Sequence, residues 1–139
     1  SLKLYDVLNV SLAASESTFA LAAFGMKDNS LAPQGNAFEI IAQTANALTQ
    51  LVASCAVHSS DYFYRNFDHI PAVALQHHCN AVEMEAFALF ANAKYLEKNA
   101  ACLLTVSDII PTHEKISADA REQSLVPMIE LALESAIRL

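Results

Sequence analysis

Short apolar runs that alternate with stretches of helical periodicity are the feature that most constrains how this 139-residue chain can fold. Residues 4–10, 51–57 and 101–107 have strand length, and the last run reads as a strand buried on both faces. Residues 36–50 and 86–99 repeat apolar side chains every three or four positions, as along one face of a helix. Strands that alternate with helices predict an α/β fold whose sheet is covered on both sides.

The two ends of the chain are less regular than its middle. Residues 11–36 show turn signals but no clear periodicity. Near the other end, Ser117 is a suitable N-cap for one last helix. The buried stripe expected on that helix consists of Leu125, Ile129, Ala132 and Ala136.

Composition indicates one acidic globular domain over residues 1–139. The chain is 54% hydrophobic and 17% charged, with a net charge of −7 and a pI of about 5.0. The absence of a basic patch argues against binding to nucleic acid or to an anionic membrane surface. No membrane-span or signal-peptide pattern is visible, so the cytoplasm is the expected location. Three widely spaced cysteines predict reduced thiols, with no disulfide framework and no metal site.

Three segments contain side chains that could bind a ligand or transfer a proton, namely residues 58–64, 80–86 and 103–108. The second segment contains two carboxylates that can hold hydroxyl groups. The third ends in an acid that can hold or give a proton, and the first contains aromatic rings that can stack on a base. Together, these groups suggest a site for a nucleoside.

Each candidate also has a simpler structural explanation. Asp108 follows a predicted strand, where ligands bind in open α/β sheets, but it could equally start a loop or cap a helix. Glu83 and Glu85 can converge on a ligand at a strand-to-helix junction, or can be solvated acids in the first turn of the helix. Phe63 can stack on a base or pack in the core. Arg121 is expected in the first turn of a helix, which mildly disfavours a cation and hints at a role elsewhere.

Taken together, these motifs resemble the hexameric bacterial-type purine nucleoside phosphorylases of the nucleoside phosphorylase/uridine phosphorylase superfamily. The matching runs are 59–64, 82–86, 105–108 and 112–114, followed by Arg121. They are 22 positions apart from Phe63 to Glu85, 23 from Glu85 to Asp108 and 13 from Asp108 to Arg121. The resemblance is specific over residues 51–139 and faint over residues 1–50.

The resemblance implies a three-layer α/β fold with a central mixed sheet flanked by helices. It also implies that the family's N-terminal part, which carries the phosphate site, is missing from this chain. By position, the resemblance implies that Phe63 stacks on the purine and that Ser107 flanks the base. Glu83, Met84 and Glu85 would line the ribose. Asp108, assisted by Arg121, would protonate the purine at N7. We expect these side chains to converge on one pocket at the carboxyl edge of the sheet.

The implied reaction is cleavage of purine (deoxy)ribonucleosides with phosphate, giving the free base and (deoxy)ribose 1-phosphate. Inorganic phosphate is the co-substrate, no cofactor is expected, and the family forms homo-oligomers. With only Gly25 and Gly35 and three arginines, this chain alone is expected to bind phosphate poorly. Two alternatives therefore stay open: a nucleosidase of the same superfamily, and a non-catalytic subunit that binds a purine nucleoside or serves in assembly.

Overall fold

A computed structural model describes residues 2–64 and 69–139, without the side chains of Glu122 and Gln123. Within this part the chain alternates strands and helices, as the apolar pattern predicts. In chain order the elements are β1 (Val7–Ala14), α1 (Phe19–Phe24), β2 (Ser30–Leu31), α2 (Ala37–Ala47), β3 (Val52–Ser59), α3 (Ala72–Gln76), β4 (Ala81–Glu83), α4 (Ala86–Leu96), β5 (Leu103–Thr105), β6 (Asp108–Ile109), β7 (Glu114–Lys115), α5 (Ala118–Ser124) and α6 (Val126–Ala136). No helix in the described ranges is long and apolar enough to cross a membrane.

The central sheet is mixed. Its main path runs β2-β1-β3-β4, and β5 pairs with the first half of β1 on the side away from β3. Strands β1, β3 and β4 are parallel, whereas β2 and β5 run antiparallel to β1. The carboxyl ends of β1, β3 and β4 therefore share one edge of the sheet, and the carboxyl end of β5 points to the opposite edge.

Helices cover both faces of this sheet. Leu8 and Val10 of β1 pack in one core cluster with Phe87 and Phe90 of α4. The alternate residue Val7 belongs to a second cluster, with Ile41 of α2 and Leu131 of α6. Because successive side chains of a strand point to opposite faces, the two clusters are the two sides of the sheet. The predicted α/β architecture, a mixed sheet flanked by helices, is confirmed.

Strand β5 differs most from its sequence-based prediction. The strand itself is Leu103–Thr105, although backbone hydrogen bonds to the neighbouring segment continue to Cys102 and Val106, and residues 101–107 are all half-buried. The prediction of a strand over 101–107 buried on both faces is therefore wrong. Apolar composition gives a strand the capacity to be buried, but burial needs neighbours, and within the described residues β5 pairs with β1 alone.

The end of the chain forms two helices where one was expected. The helix α5 ends at Ser124, and α6 begins at Val126 with Pro127 in its first turn. Proline cannot donate the amide hydrogen that a continuous helix needs and is tolerated in the first turn of a helix, so a new helix that starts just before Pro127 is expected. Because α6 starts afresh after the break, a different face of this helix points to the core. Leu131 and Ser135 are buried, whereas Ile129 is 46% exposed. The predicted buried stripe is thus wrong.

Candidate active site

A network of hydrogen bonds joins the carboxyl ends of three strands to the start of α4. The hydroxyl of Ser59, at the end of β3, donates to Oε1 of Glu83 and accepts the amide of Phe87 at 2.9 Å. The other oxygen of Glu83 accepts the amides of Glu85 and Ala86, each at 2.7 Å. A carboxylate at this point satisfies helix N–H groups that otherwise lack partners and favours the positive end of the helix.

The end of β1 is tied into the same corner. The hydroxyl of Ser15 donates to the carbonyl of Ser59 at 2.7 Å. The buried His58 places Nε2 at 2.5 Å from a carboxylate oxygen of Glu16. These contacts tie the loop after β1 to the end of β3.

A cleft of about 220 Å³ opens beside this corner. Its volume is smaller than the ~300–1,000 Å³ typical of pockets that bury a whole drug-sized ligand. It lies where the chain leaves β1, β3 and β4, which is the usual place for ligands in open α/β sheets. Of the residues predicted for the site, only Met84 lines it. The lining residues are Ser15, Ser17, Phe19, Ser59, Asp61, Met84, Phe87 and Ala88.

Sequence reasoning did not single out Ser15, Ser17 or Phe19. These residues fall in the stretch 11–36, where no periodicity was visible. Strand β1 extends to Ala14, four residues beyond its predicted end at Val10, so the loop that follows it was not recognised as a strand end. A hydroxyl residue directly after a strand was the only available signal, and it is weak without the strand boundary.

Phe63, Met84 and Glu85 all face solvent rather than the core. Phe63 is 70% exposed and meets Tyr64 edge-on, with ring centroids 5.0 Å apart. Met84 is 40% exposed, and Glu85 is also exposed. The alternative that Phe63 packs in the core is therefore wrong, and its ring is open for stacking. Arg65, the arginine closest in sequence, lies outside the described residues.

Asp108 and Arg121 are brought together by a tight hairpin. Strands β6 and β7 pair Asp108 with Lys115, so the chain returns past Asp108 before α5 begins. Ser117 caps α5 as predicted, since its hydroxyl accepts the amide of Ala120 at 3.2 Å. Nη2 of Arg121 then lies 3.9 Å from Oδ2 of Asp108, and both side chains are half-exposed. The predicted salt-bridge reach between these two residues is confirmed.

The predicted residues fall into two groups, one around Glu83 and Glu85 and one that ends in Asp108, and these groups lie at different ends of the sheet. Thr105 is opposite Val7, at the amino end of β1, and leads on to Asp108. Glu83 is opposite Ser59, at the end where β1 and β3 finish. The eight residues of β1 span roughly 25 Å when extended. The expectation of one shared carboxyl edge is therefore wrong, because β5 runs against β1, β3 and β4.

Cys102, just before β5, is influenced by the negative charges of Glu83 and Glu85. Burial, together with the negative charges of Glu83 and Glu85, raises the pKa of its thiol to about 12. The start of β5 is thus within electrostatic range of the corner at the end of β4, although the end of β5 points away. Burial also raises the pKa of the Cys55 and Cys79 thiols, and all three cysteines are free.

Among the residues that the structure describes, no group of three or more His, Cys, Asp or Glu side chains is arranged to hold a metal ion. The histidine at position 77, part of a His-His-Cys run, instead has its Nε2 3.1 Å from Oδ1 of Asn29.

The fold is shared with a solved purine nucleoside phosphorylase. The structure from Toxoplasma gondii, in complex with immucillin-H, superposes with a TM-score of 0.80 at 16% identity, over 97% of this chain and 56% of that one. At this identity the likeness establishes the phosphorylase-like α/β fold alone.

Sequence similarity is more specific. The chain is 37% identical over 140 residues to the DeoD-type purine nucleoside phosphorylase of Mycoplasma genitalium and 36% identical over 141 residues to that of Mycoplasma pneumoniae. The DeoD-type enzyme of Brevibacillus brevis is 34% identical over 139 residues. These matches cover 98–100% of this chain and 58–59% of the relatives. No family model matches the chain.

The chain is therefore related along its whole length to part of the DeoD-type purine nucleoside phosphorylases, and the resemblance carried by the motifs is confirmed. It spans less than two thirds of the length of these relatives.

Proposed function

We propose that this chain is the nucleoside-recognising part of a purine nucleoside phosphorylase. The whole protein would cleave the N-glycosidic bond of purine (deoxy)ribonucleosides with phosphate, releasing the base and (deoxy)ribose 1-phosphate. The observation that carries this proposal is similarity along the whole chain to DeoD-type phosphorylases. A homo-oligomer that works in the cytoplasm without a cofactor is part of the same proposal.

Asp108 is the proposed general acid. Breaking the bond between the sugar and the base leaves negative charge on the purine, and a proton delivered to N7 neutralises it. Once Asp108 has given up that proton its carboxylate is anionic, and the guanidinium of Arg121 at 3.9 Å stabilises this charge. Ser107 donates its hydroxyl to the same carboxylate at 2.5 Å and thereby orients it beside the base.

The sugar and the base would be held by the solvent-facing side chains near the start of α4. Glu85 offers carboxylate oxygens to ribose hydroxyls. Its negative charge beside the ring would also stabilise the positive charge that develops on the sugar. Met84 supplies an apolar surface in the cleft, and Phe63 stacks on the purine. Asp108 lies toward the opposite end of the sheet, farther from Glu85 along β1 than one nucleoside is long, so its proposed role rests on the sequence similarity and not on the geometry of this chain.

Phosphate recognition is the weakest part of this chain. Both arginines in the described ranges have acidic neighbours: Arg121 pairs with Asp108 at 3.9 Å and Arg138 with Glu134 at 2.8 Å. A dianion is usually held by several converging guanidinium or backbone N–H groups. This pairing favours a second candidate function, in which the chain binds a purine nucleoside without using phosphate.

Base release from inosine and adenosine, measured with and without phosphate, distinguishes these functions. We expect binding with little phosphate-dependent release by this chain alone. Robust phosphate-dependent release would contradict the poor phosphate site and support the full enzyme, whereas release without phosphate would identify a nucleosidase.

The assignment of Asp108 is tested in any form of the protein that releases base. Asp108→Asn should slow release by on the order of 10²-fold or more, because the general acid is lost. Asp119→Asn is the matched control, since Asp119 is another exposed acid near the start of α5. Equal release by the wild type and Asp108→Asn would remove Asp108 from the mechanism.

A further inference from the structure

The carboxylate of Glu83 is occupied by the protein itself. Its Oε1 accepts the Ser59 hydroxyl, and its Oε2 accepts the amides of Glu85 and Ala86 at 2.7 Å. A carboxylate has about four lone-pair positions, and three of them are used here. Glu83 is therefore poorly placed to accept hydroxyl groups from a sugar, although its position in the motif implies that role.

We propose that Glu83 is a positioning residue that fixes the turn from which Met84 and Glu85 project toward the ligand. This inference rests on the proposed function, since it concerns the sugar end of the same nucleoside site. The two amides that Glu83 accepts belong to Glu85 and to the first residue of α4. Hydrogen bonds to an ionised acceptor are stronger than neutral ones, and this acceptor also meets the positive end of an 11-residue helix. The direction of the Glu85 backbone is thereby set by Glu83.

Ser59 anchors this arrangement to the sheet. It is 4% exposed, and its hydroxyl bridges Glu83 and the amide of Phe87. Its carbonyl accepts the hydroxyl of Ser15, which comes from the loop after β1. The end of β3, the loop after β1 and the first turn of α4 consequently hold one geometry, and Glu83 transmits that geometry to Glu85.

Amide hydrogen exchange tests the clamp without any ligand. In Glu83→Ala the amides of Glu85 and Ala86 should exchange roughly tenfold faster than in the wild type, as expected when a helix cap is lost. In Ser59→Ala, the Phe87 amide should show the same effect. Glu39→Ala is the matched control, since Glu39 is an exposed acid in the first turn of α2, which is also 11 residues long. Unchanged exchange in Glu83→Ala would overturn the clamp.

A double-mutant cycle on inosine binding tests the positioning role. If Glu83 acts through Glu85, Glu83→Ala should weaken binding roughly tenfold alone but less than about twofold in a Glu85→Ala background. Equal weakening in both backgrounds would show that Glu83 contacts the sugar itself and would overturn the proposal. Glu83→Gln keeps an acceptor oxygen for the amides, so it should retain affinity within about threefold of the wild type.

The outcomes separate this inference from the proposed function. A wild-type chain that binds no inosine would overturn the nucleoside function and with it the sugar-directed role of Glu83. Slow exchange at Glu85 and Ala86 that depends on Glu83 would then still establish the clamp as a structural feature of α4.

Discussion

At the scale of single residues, the Asp108–Arg121 ion pair is expected to contribute little to the stability of the fold. The two side chains are about half-exposed and 3.9 Å apart, and such surface pairs contribute only ~0–1 kcal/mol. We therefore expect Arg121→Ala to change the free energy of unfolding by less than about 1 kcal/mol in urea titrations. A loss of several kcal/mol would show that Arg121 has a structural role that the pair does not explain.

The raised pKa of the Cys102 thiol predicts that the stability of the fold depends on pH. The pKa of this thiol is raised to about 12 in the folded state, from an ordinary thiol value of 9.0. Above pH 9 the unfolded state therefore binds fewer protons, so stability falls as pH rises, by at most about 1.4 kcal/mol per pH unit for one group. Cys102→Ala should flatten this decline in urea unfolding between pH 8 and pH 10.5.

Cys79 provides the comparison for that experiment. Burial also raises the pKa of its thiol, but the charge that adds to this shift is that of Cys55 and not that of Glu83 or Glu85. Cys79→Ala should leave most of the alkaline decline in place. An identical decline in the wild type and Cys102→Ala would show that Cys102 titrates normally.

At the scale of elements, the two glycines differ in what a side chain would meet. Both have positive φ angles, +69° at Gly25 and +70° at Gly35. A Cβ at Gly25 would meet open space, whereas one at Gly35 would lie 1.6 Å from Oδ1 of Asn99 and 3.3 Å from its Cα. Gly25→Ala should cost about 1 kcal/mol of stability through backbone strain alone.

Gly35→Ala should cost clearly more than Gly25→Ala, because Asn99 must also move. The neighbouring Gln34 and Ala100 exchange two backbone hydrogen bonds of 2.9 Å, which hold the loop after α4 close to Gly35. Urea unfolding of the two variants measures the difference directly. Equal losses would show that the loop at Asn99 yields without cost.

At the scale of the whole molecule, exposed apolar surface predicts self-association. On α6, Ile129, Leu133 and the adjoining Ile137 are 46%, 65% and 78% exposed, and large exposed apolar patches usually mark interfaces. Sedimentation at micromolar concentration should therefore show a species larger than a monomer. Leu133→Ser should weaken this association, whereas Leu51→Ser, at an exposed leucine before β3, should not. A monomeric wild type would refute the prediction.

Much of the local structure could be predicted from sequence because it depends on neighbours along the chain. The periodicity of residues 36–50 produced α2, and the hydroxyl of Ser117 capped α5 as expected. The approach of Arg121 to Asp108 was also predictable, because a hairpin of a few residues and one helical turn connect them.

Tertiary structure alone decided where those pieces lie relative to each other. An apolar run has no visible direction, so the antiparallel course of β5, which sends Asp108 away from Glu83, depends on non-local pairing with β1. The burial of Leu131 instead of Ile129 depends on how α6 packs against α2 after the break at Pro127. A motif reveals that Glu83 is acidic, but whether its oxygens face a ligand or the amides of its own helix is decided by the turn that Ser59 holds in place.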